Sequence, residues 1–428
     1  MKTTMTRIGR ALILNLLLVS TGLFATDGDS KPSRAQLALD DLRSFTDVFN
    51  QVRNNFVEEV DDHTLMNAAI RGMLSDLDPH SSYMEADEFR QLDNSSRGRY
   101  SGIGVEVIIR DGRIVVVSVT AAGPAYRAGV VDGDIITAID GRDLRGSHLP
   151  AAIENLRGKT GTEVAVTFEH EDGEVTTFTL VRDYVDIASV FSRPVDGDYG
   201  YFRISHFTHK SADELQQQIA SMQDHHAGPL LGIVVDLRGN PGGVLKPAVT
   251  MADGFLDHGK IVYTSGRAAN QLEYSAKAGQ WLAGVAMVVL VDRATASASE
   301  VLAGALQDHG RALIVGERTF GKGSVQSVLN LRNGAGLRLT TSRYYTPSGR
   351  SIQAEGIRPD IEITAMQAVK DTDSRKREVD LDRHLNGEPE TAKPRVFDSE
   401  VNATDDYALY QALMLLKGAN KLSAASGQ

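Results

Sequence analysis

Two short stretches of this sequence hold the residue types of a nucleophile and a proton acceptor. The first is Thr295-Ala296-Ser297-Ala298-Ser299-Glu300, which follows the apolar run 288–291 and opens a helical pattern. A serine at such a junction sits at the positive end of a helix dipole, which favours a developing oxyanion. Ser297 and Glu300 also have the spacing of a helix-capping box, and taken alone that structural reading is the stronger. The second stretch is Thr319-Phe320-Gly321-Lys322-Gly323-Ser324-Val325-Gln326, just after the apolar run 313–315. A lysine between two glycines can approach buried backbone closely. Burial disfavours its charged form and lowers its pKa from about 10.4. A neutral amine can then take the proton of a serine hydroxyl. The plain alternative for Lys322 is a surface or anion-binding lysine in a glycine loop.

Other hydrolytic constellations fit less well. Gly239-Asn240-Pro241-Gly242-Gly243 is similar to the glycine-rich turn around a trypsin-type nucleophile, but Pro241 stands where the serine is needed. His206, His209, His225, His226, His258 and His309 lack metal-ligand spacing such as H-E-x-x-H and read as surface or structural residues. There is no cysteine, which excludes a thiol nucleophile, an iron–sulfur site and a disulfide frame. No glycine-rich phosphate loop is present, and neither a metal nor another cofactor is expected.

These residues must be held by a chain of 428 residues, long enough for two to three domains. Its 42% apolar and 24% charged residues are a globular composition. The net charge of -11 argues against a nucleic-acid partner. Lys2, Arg7 and Arg10, the apolar run 11–24 and small residues near Ala25 have the three parts of a secretory signal, so residues 1–25 are expected to be removed. An uncleaved tether is the alternative. Residues 35–92 read as helical. Leu37, Leu42, Phe45, Val48, Phe49 and Phe56 form the apolar stripe of a first helix, and Leu65, Ala69, Met73 and Leu77 that of a second, stopped at Asp78-Pro79.

From Tyr100 glycines and β-branched residues take over. Ser101-Gly102-Ile103-Gly104-Val105, followed by Gly123-Pro124-Ala125 and Asp132-Gly133-Asp134-Ile135-Ile136, resembles the PDZ domains of bacterial envelope proteases over about 100–184. In such a domain Gly102, Ile103, Gly104 and Val105 are the loop whose N–H groups receive a peptide's C-terminal carboxylate, beside an edge strand that pairs with the peptide. Beyond Tyr184 short apolar runs at 201–204, 232–237, 286–291 and 312–315 predict buried strands. They alternate with helices at 212–222, 247–256 and 299–309, and a further strand lies at 337–345. The chain is highly charged from 366 to about 406, and an amphipathic helix containing Tyr407, Leu409, Tyr410, Leu413 and Leu415 closes it.

Taken together, from about 65 to 360 the chain resembles the carboxyl-terminal processing proteases, or tail-specific proteases. The resemblance aligns the nucleophile with Ser297, the lysine base with Lys322, 25 residues on, and an orienting glutamine with Gln326. Ser299 is rejected on that spacing. Asp236-Leu237-Arg238-Gly239-Asn240-Pro241-Gly242-Gly243 matches the turn that donates an oxyanion-hole N–H, assigned to Gly243 in preference to Gly242, with the N–H of Ala298 as its partner. Leu77-Asp78-Pro79-His80-Ser81-Ser82-Tyr83 matches a motif ahead of the PDZ domain.

The resemblance implies a crotonase-like α/β protease core with an inserted PDZ domain and helical terminal segments. The parts are a signal (1–25), an N-terminal helical region (26–99), the PDZ domain (100–185), a Ser–Lys core (186–365), and a charged linker with a C-terminal helix (366–428). It implies a serine endopeptidase of the bacterial periplasm acting on proteins with accessible C-termini and open to an envelope adaptor. The apolar stripes from Leu37 to Phe56 and from Tyr407 to Leu415 predict a homo-oligomer, at least a dimer, that covers one of them. Arg157, after the predicted PDZ helix, is the candidate for sensing bound peptide. A PDZ scaffold with an inactive core is disfavoured by the complete Ser–Lys–Gln set, and an esterase or amidase by the attached PDZ domain.

Overall fold

The computed structural model describes residues 39–144, 149–226, 228–267, 271–363, 401–402 and 405–426. The expected signal, and most of the charged linker, lie outside them. The chain divides into two units, residues 1–69 and 70–428.

In the first unit the predicted helix runs Leu39–Asn55, with Asp40 and Asp41 in its first turn, where the helix dipole favours acids. None of its residues is buried, so Leu42, Phe45 and Val48 of the apolar stripe are exposed. The second predicted helix, Asp62–Ser75, begins here.

The second unit is built on a six-stranded sheet in the order Val190–Val195, Tyr199–Ile204, Gly232–Asp236, Ala286–Val291, Leu313–Gly316, Ile361–Glu362. The first pair is antiparallel and the rest are parallel. Unbroken apolar runs make these strands because both faces are covered. Alternate side chains sort to opposite sides. Ile233, Val235, Val289 and Val291 join the helices Ser211–His225, Leu245–Phe255 and Ala298–Asp308, while Val234, Val288 and Leu290 meet Leu409, Leu413 and Leu416 of the helix Tyr407–Ser426. The C-terminal helix is therefore a layer of the core. Its entry is fixed by Arg238, which donates to both carboxylate oxygens of Asp406 at 2.8 Å and to the fully buried Asp236.

A second sheet pairs Gly336–Tyr345 with Ser324–Asn330, with Lys260–Gly266 and with Ser82–Met84. The last strand corrects the reading of 35–92 as helical. Three residues carry no periodicity, and this strand exists only because Ser82 and Met84 meet Arg338 and Gly336 far along the chain. A third helix, Ala86–Ser96, follows it.

The inserted module has its own sheet, ordered Val105–Arg110, Arg113–Val119, Ile135–Ile139, Glu163–Glu169, Val175–Val181, and its own core around Ile114, Val166 and Phe168. Val105–Arg110 is an edge strand. A two-stranded ribbon, Arg99–Gly102 paired with Asp183–Asp186, joins the two ends of the module.

Candidate active site

Ser297 stands between the central strand Ala286–Val291 and the helix Ala298–Asp308, and two turns are bolted together beneath it. Asp292 accepts the N–H groups of Ala294, Thr295 and Gly239, and the Thr295 hydroxyl donates to the Leu237 carbonyl. The carbonyl of Asn240 accepts the N–H of Ala296 at 2.9 Å and the hydroxyl of Ser299 at 3.2 Å. Ser299 is thus fully buried and committed to backbone, whereas Ser297 is only half-buried. Ser297 has a φ of +58°, a conformation that costs a non-glycine residue about 1–3 kcal/mol and persists only where surroundings enforce it.

The glycine turn packs directly on this serine. A Cβ on Gly242 would lie 2.8 Å from the Ser297 Cβ and 3.0 Å from the Ala298 nitrogen. The N–H of Gly242 is spent on Asn240 Oδ1 at 2.9 Å. Gly242 O and Val244 N both bond Phe207, and since the C=O and N–H of one trans peptide point in opposite directions, the Gly243 N–H points away from Phe207. The Gly243 backbone has a φ of +135°, and a Cβ there would lie 2.2 Å from the Phe207 carbonyl oxygen, so only glycine fits.

Lys322 enters from a loop pressed onto residues 352–356. A Cβ on Gly323 would lie 2.2 Å from the Gln353 nitrogen, and one on Gly321 3.1 Å from that of Gly356. The flanking glycines therefore serve the close approach the sequence implied. The loop is tied to Ser297 by Glu300. Its Oε2 accepts the N–H of Ser297 at 2.7 Å and that of Lys322 at 2.9 Å, while Oε1 accepts the Gly321 N–H at 2.7 Å and the Thr319 hydroxyl at 2.5 Å. Burial pushes the Glu300 carboxyl up, against these four donors. The carboxylate half of the capping box forms, and the same group does more than cap a helix.

The half-buried Lys322 amine has its pKa lowered, first by burial and then by the charge of Arg338, with Glu300 opposing. His80 is lowered in turn, by burial and then by Lys322. The amide nitrogen of Gln326 donates to Ser324 Oγ at 2.8 Å and Thr340 Oγ1 at 3.4 Å. Two contributors escape a reading of the sequence. Glu300 looks like a cap, its only further signal being an acid among the apolar residues of the first two turns of its helix. The Asp78–Ser81 turn reaches Thr340 only through tertiary pairing.

In the inserted module, Gly104 has a φ of +83°, and its carbonyl accepts the Thr120 N–H at 2.9 Å, which turns the N–H of that peptide, on Val105, toward the open edge. The ring of Tyr100 fills the place of a Cβ on Gly102, and its hydroxyl donates to the Val105 carbonyl at 3.4 Å. The Ile103 carbonyl accepts the N–H of Ala125. Arg157 lies over the Tyr100 ring, 5.8 Å from its centroid, and pairs with Glu154, the last residue of the helix Leu149–Glu154 that precedes it. No group of His, Cys, Asp or Glu among the described residues is placed to hold a metal ion.

A glycine turn against a strained serine, a loop lysine tied to the same carboxylate and a module inserted ahead of them define a serine-type peptidase with a PDZ domain. The profile of peptidase family S41 matches residues 198–363, that of the PDZ domain 101–181, and that of the activating protease CtpB N-terminal domain 22–88. The carboxy-terminal-processing protease of Bartonella bacilliformis is 41% identical over 384 residues, 88% of each chain. The carboxy-terminal processing protease CtpA of Bacillus subtilis is 32% identical over 81% of this chain and 73% of its own. Among solved structures, the photosystem II D1 C-terminal processing protease aligns at 32% identity over 75% of this chain and 86% of its own, with a TM-score of 0.46. The chain belongs to the carboxy-terminal processing proteases of peptidase family S41.

Proposed function

We propose that this protease works by a Ser–Lys dyad. The neutral amine of Lys322 takes the proton of Ser297 as Oγ bonds to the scissile carbonyl carbon. The N–H groups of Gly243 and Ala298 hold the resulting oxyanion. As the C–N bond breaks, the lysine proton passes to the leaving amine. Water, giving its proton to Lys322, then attacks the acyl carbon. As the ester C–O bond breaks, Lys322 returns that proton to Ser297 Oγ, freeing the serine and a new C-terminal carboxyl group. Gln326 orients the lysine amine. The observation that carries this reading is the single Glu300 oxygen that anchors both Ser297 and Lys322. The test is turnover of an unfolded protein by purified variants. Ser297→Ala and Lys322→Ala are expected to be inactive but folded, and Lys322→Arg not to rescue, because arginine stays protonated. Activity kept by Ser297→Ala and lost by Ser299→Ala would move the nucleophile.

The substrates in this reading are envelope proteins whose apolar C-termini extend the edge strand Val105–Arg110, their carboxylates received by Gly102, Ile103, Gly104 and Val105. The chain is exported to a bacterial periplasm through its N-terminal signal, self-associates, and can take an adaptor. Arg157 senses the occupied loop through Tyr100, which lies on the ribbon joining the PDZ domain to the core.

A further inference from the structure

The turn Asp78-Pro79-His80-Ser81 has no part in the proposed acyl transfer, yet it is bonded to the strand beside Gln326. Asp78 Oδ1 accepts the N–H groups of His80 at 2.7 Å and Ser81 at 2.9 Å, and Oδ2 accepts the Ser81 hydroxyl at 2.7 Å. The Ser81 oxygen in turn accepts the Thr340 N–H at 3.1 Å, and the His80 carbonyl accepts Arg338 Nε at 3.0 Å. One further bond leaves the turn: the Thr340 hydroxyl donates to Asp78 Oδ1 at 3.1 Å. A threonine has a single hydroxyl proton. With that proton committed to a carboxylate, the Thr340 oxygen can only accept. The donor facing it is the Gln326 amide nitrogen at 3.4 Å, which also donates to Ser324 Oγ at 2.8 Å.

We propose that Asp78 and Thr340 are positioning residues that set the orientation of the Gln326 amide. The bonds run one way, from Gln326 to Thr340 to Asp78. They occupy the amide nitrogen and leave Oε1 for Lys322. An amide's two ends differ in what they can do: oxygen only accepts and nitrogen only donates. A neutral amine has one lone pair, and that pair must take the Ser297 proton. Oε1 accepts an N–H of the amine and leaves the lone pair free. A flipped amide would donate its NH₂ to the lone pair and compete with Ser297. The segment ahead of the PDZ domain thereby governs the polarity of the catalytic base's partner.

The proposal rests on the Ser297–Lys322 reading, and the test separates the two. Thr340→Val removes the hydroxyl at nearly constant shape, and Thr340→Ser keeps it. Steady-state kcat and KM are measured on an unfolded protein, with circular dichroism as the check on folding; Thr340→Ala replaces Thr340→Val if the latter fails to fold. Thr340→Val is expected to lower kcat roughly 10-fold with KM within about twofold, and Thr340→Ser to stay near the parent. In a Gln326→Ala background Thr340→Val is expected to cost nothing more. The acid limb of its profile is expected at lower pH, because losing an acceptor, or gaining a donor at the lone pair, favours the neutral amine. An unchanged kcat in Thr340→Val, or the same loss in the Gln326→Ala background, overturns the proposal. Activity in Lys322→Ala removes the dyad and this proposal with it, whereas an inactive Lys322→Ala beside a fully active Gln326→Ala overturns this proposal alone.

Discussion

The backbone N–H groups of Ser297 and Lys322 donate to one and the same oxygen, Oε2 of Glu300, at 2.7 and 2.9 Å. Both carboxylate oxygens accept two donors each, whereas an amide offers a single accepting oxygen, because its nitrogen is only a donor. Glu300→Gln puts an NH₂ against either the Ser297 and Lys322 pair or the Gly321 and Thr319 pair. It is expected to lower kcat/KM by about 10²-fold through sub-ångström misplacement of the reacting groups. Glu300→Asp, whose shorter arm cannot span both strands of the contact, is expected not to rescue. Wild-type kinetics in Glu300→Gln would show that the shared oxygen is incidental.

The pH profile carries a sign. Burial first, then the charge of Arg338, holds the Lys322 pKa below its ordinary value. The base works as the neutral amine, so kcat/KM is expected to rise with pH through this lowered pKa. Arg338→Met removes a repelling cation and should move the limb to higher pH; Arg338→Lys should leave it near its place. His80 is the histidine whose pKa Lys322 perturbs, so His80→Gln is the decisive control. If it abolished activity together with the acid limb, a histidine would be the base.

The C-terminal helix is anchored by charge as well as by apolar packing. Burial pushes the Asp406 carboxyl up, but the bonds from Arg238 outweigh it and hold its pKa below the usual value. A depressed pKa in the folded state contributes stability at neutral pH that is lost as pH falls through the carboxylate range. Arg238→Met leaves Asp236 buried with Tyr201 at 2.7 Å and Arg203 at 3.6 Å. The expected loss is about 3 kcal/mol, read as a lower urea midpoint. A midpoint within error of the parent would mean the anchor contributes nothing.

The PDZ loop gives a binding prediction. The Tyr100 hydroxyl bonds the Val105 carbonyl on the open edge, where an added strand's first N–H must go. Tyr100→Phe in a Ser297→Ala background is therefore expected to bind an apolar C-terminal peptide a few-fold tighter, measured by fluorescence anisotropy. Equal or weaker binding would make the hydroxyl part of the peptide site. A peptide added in trans to active enzyme should speed cleavage of a separate reporter that has no PDZ ligand. Loss of that stimulation in Arg157→Ala is expected if Arg157 relays occupancy, and no stimulation in the parent enzyme would remove gating.

The helix Leu39–Asn55 buries none of its stripe within its own unit's described residues. We expect at least a dimer that covers Leu42, Phe45 and Val48. Light scattering at micromolar concentration checks this: Phe45→Glu should lower the mass, and a parent that is already monomeric would end the idea.

How far the sequence alone reaches can be judged residue by residue. The apolar run before Ser297, the dipole-facing serine and the glycines beside Lys322 are local signals, and they prescribed a buried strand, a helix start and a close-packed loop. The apolar stretches 232–236 and 286–291 likewise announced a sheet covered on both faces, because hydrophobic continuity is local information. The partners of those elements were a different matter. Three residues at Ser82–Met84 hold no pattern, and become a strand by meeting Gly336–Tyr345. Glu300 reads as a helix cap until the chain returns 22 residues later to place the Lys322 N–H on the same oxygen. Asp78 and Thr340 are separated by 262 residues, and their bond has no trace in either neighbourhood. Hydrogen bonds of this kind need elements far apart in sequence to lie side by side, so only tertiary structure decided that Glu300 links the backbones of Ser297 and Lys322 and that Asp78 bonds Thr340.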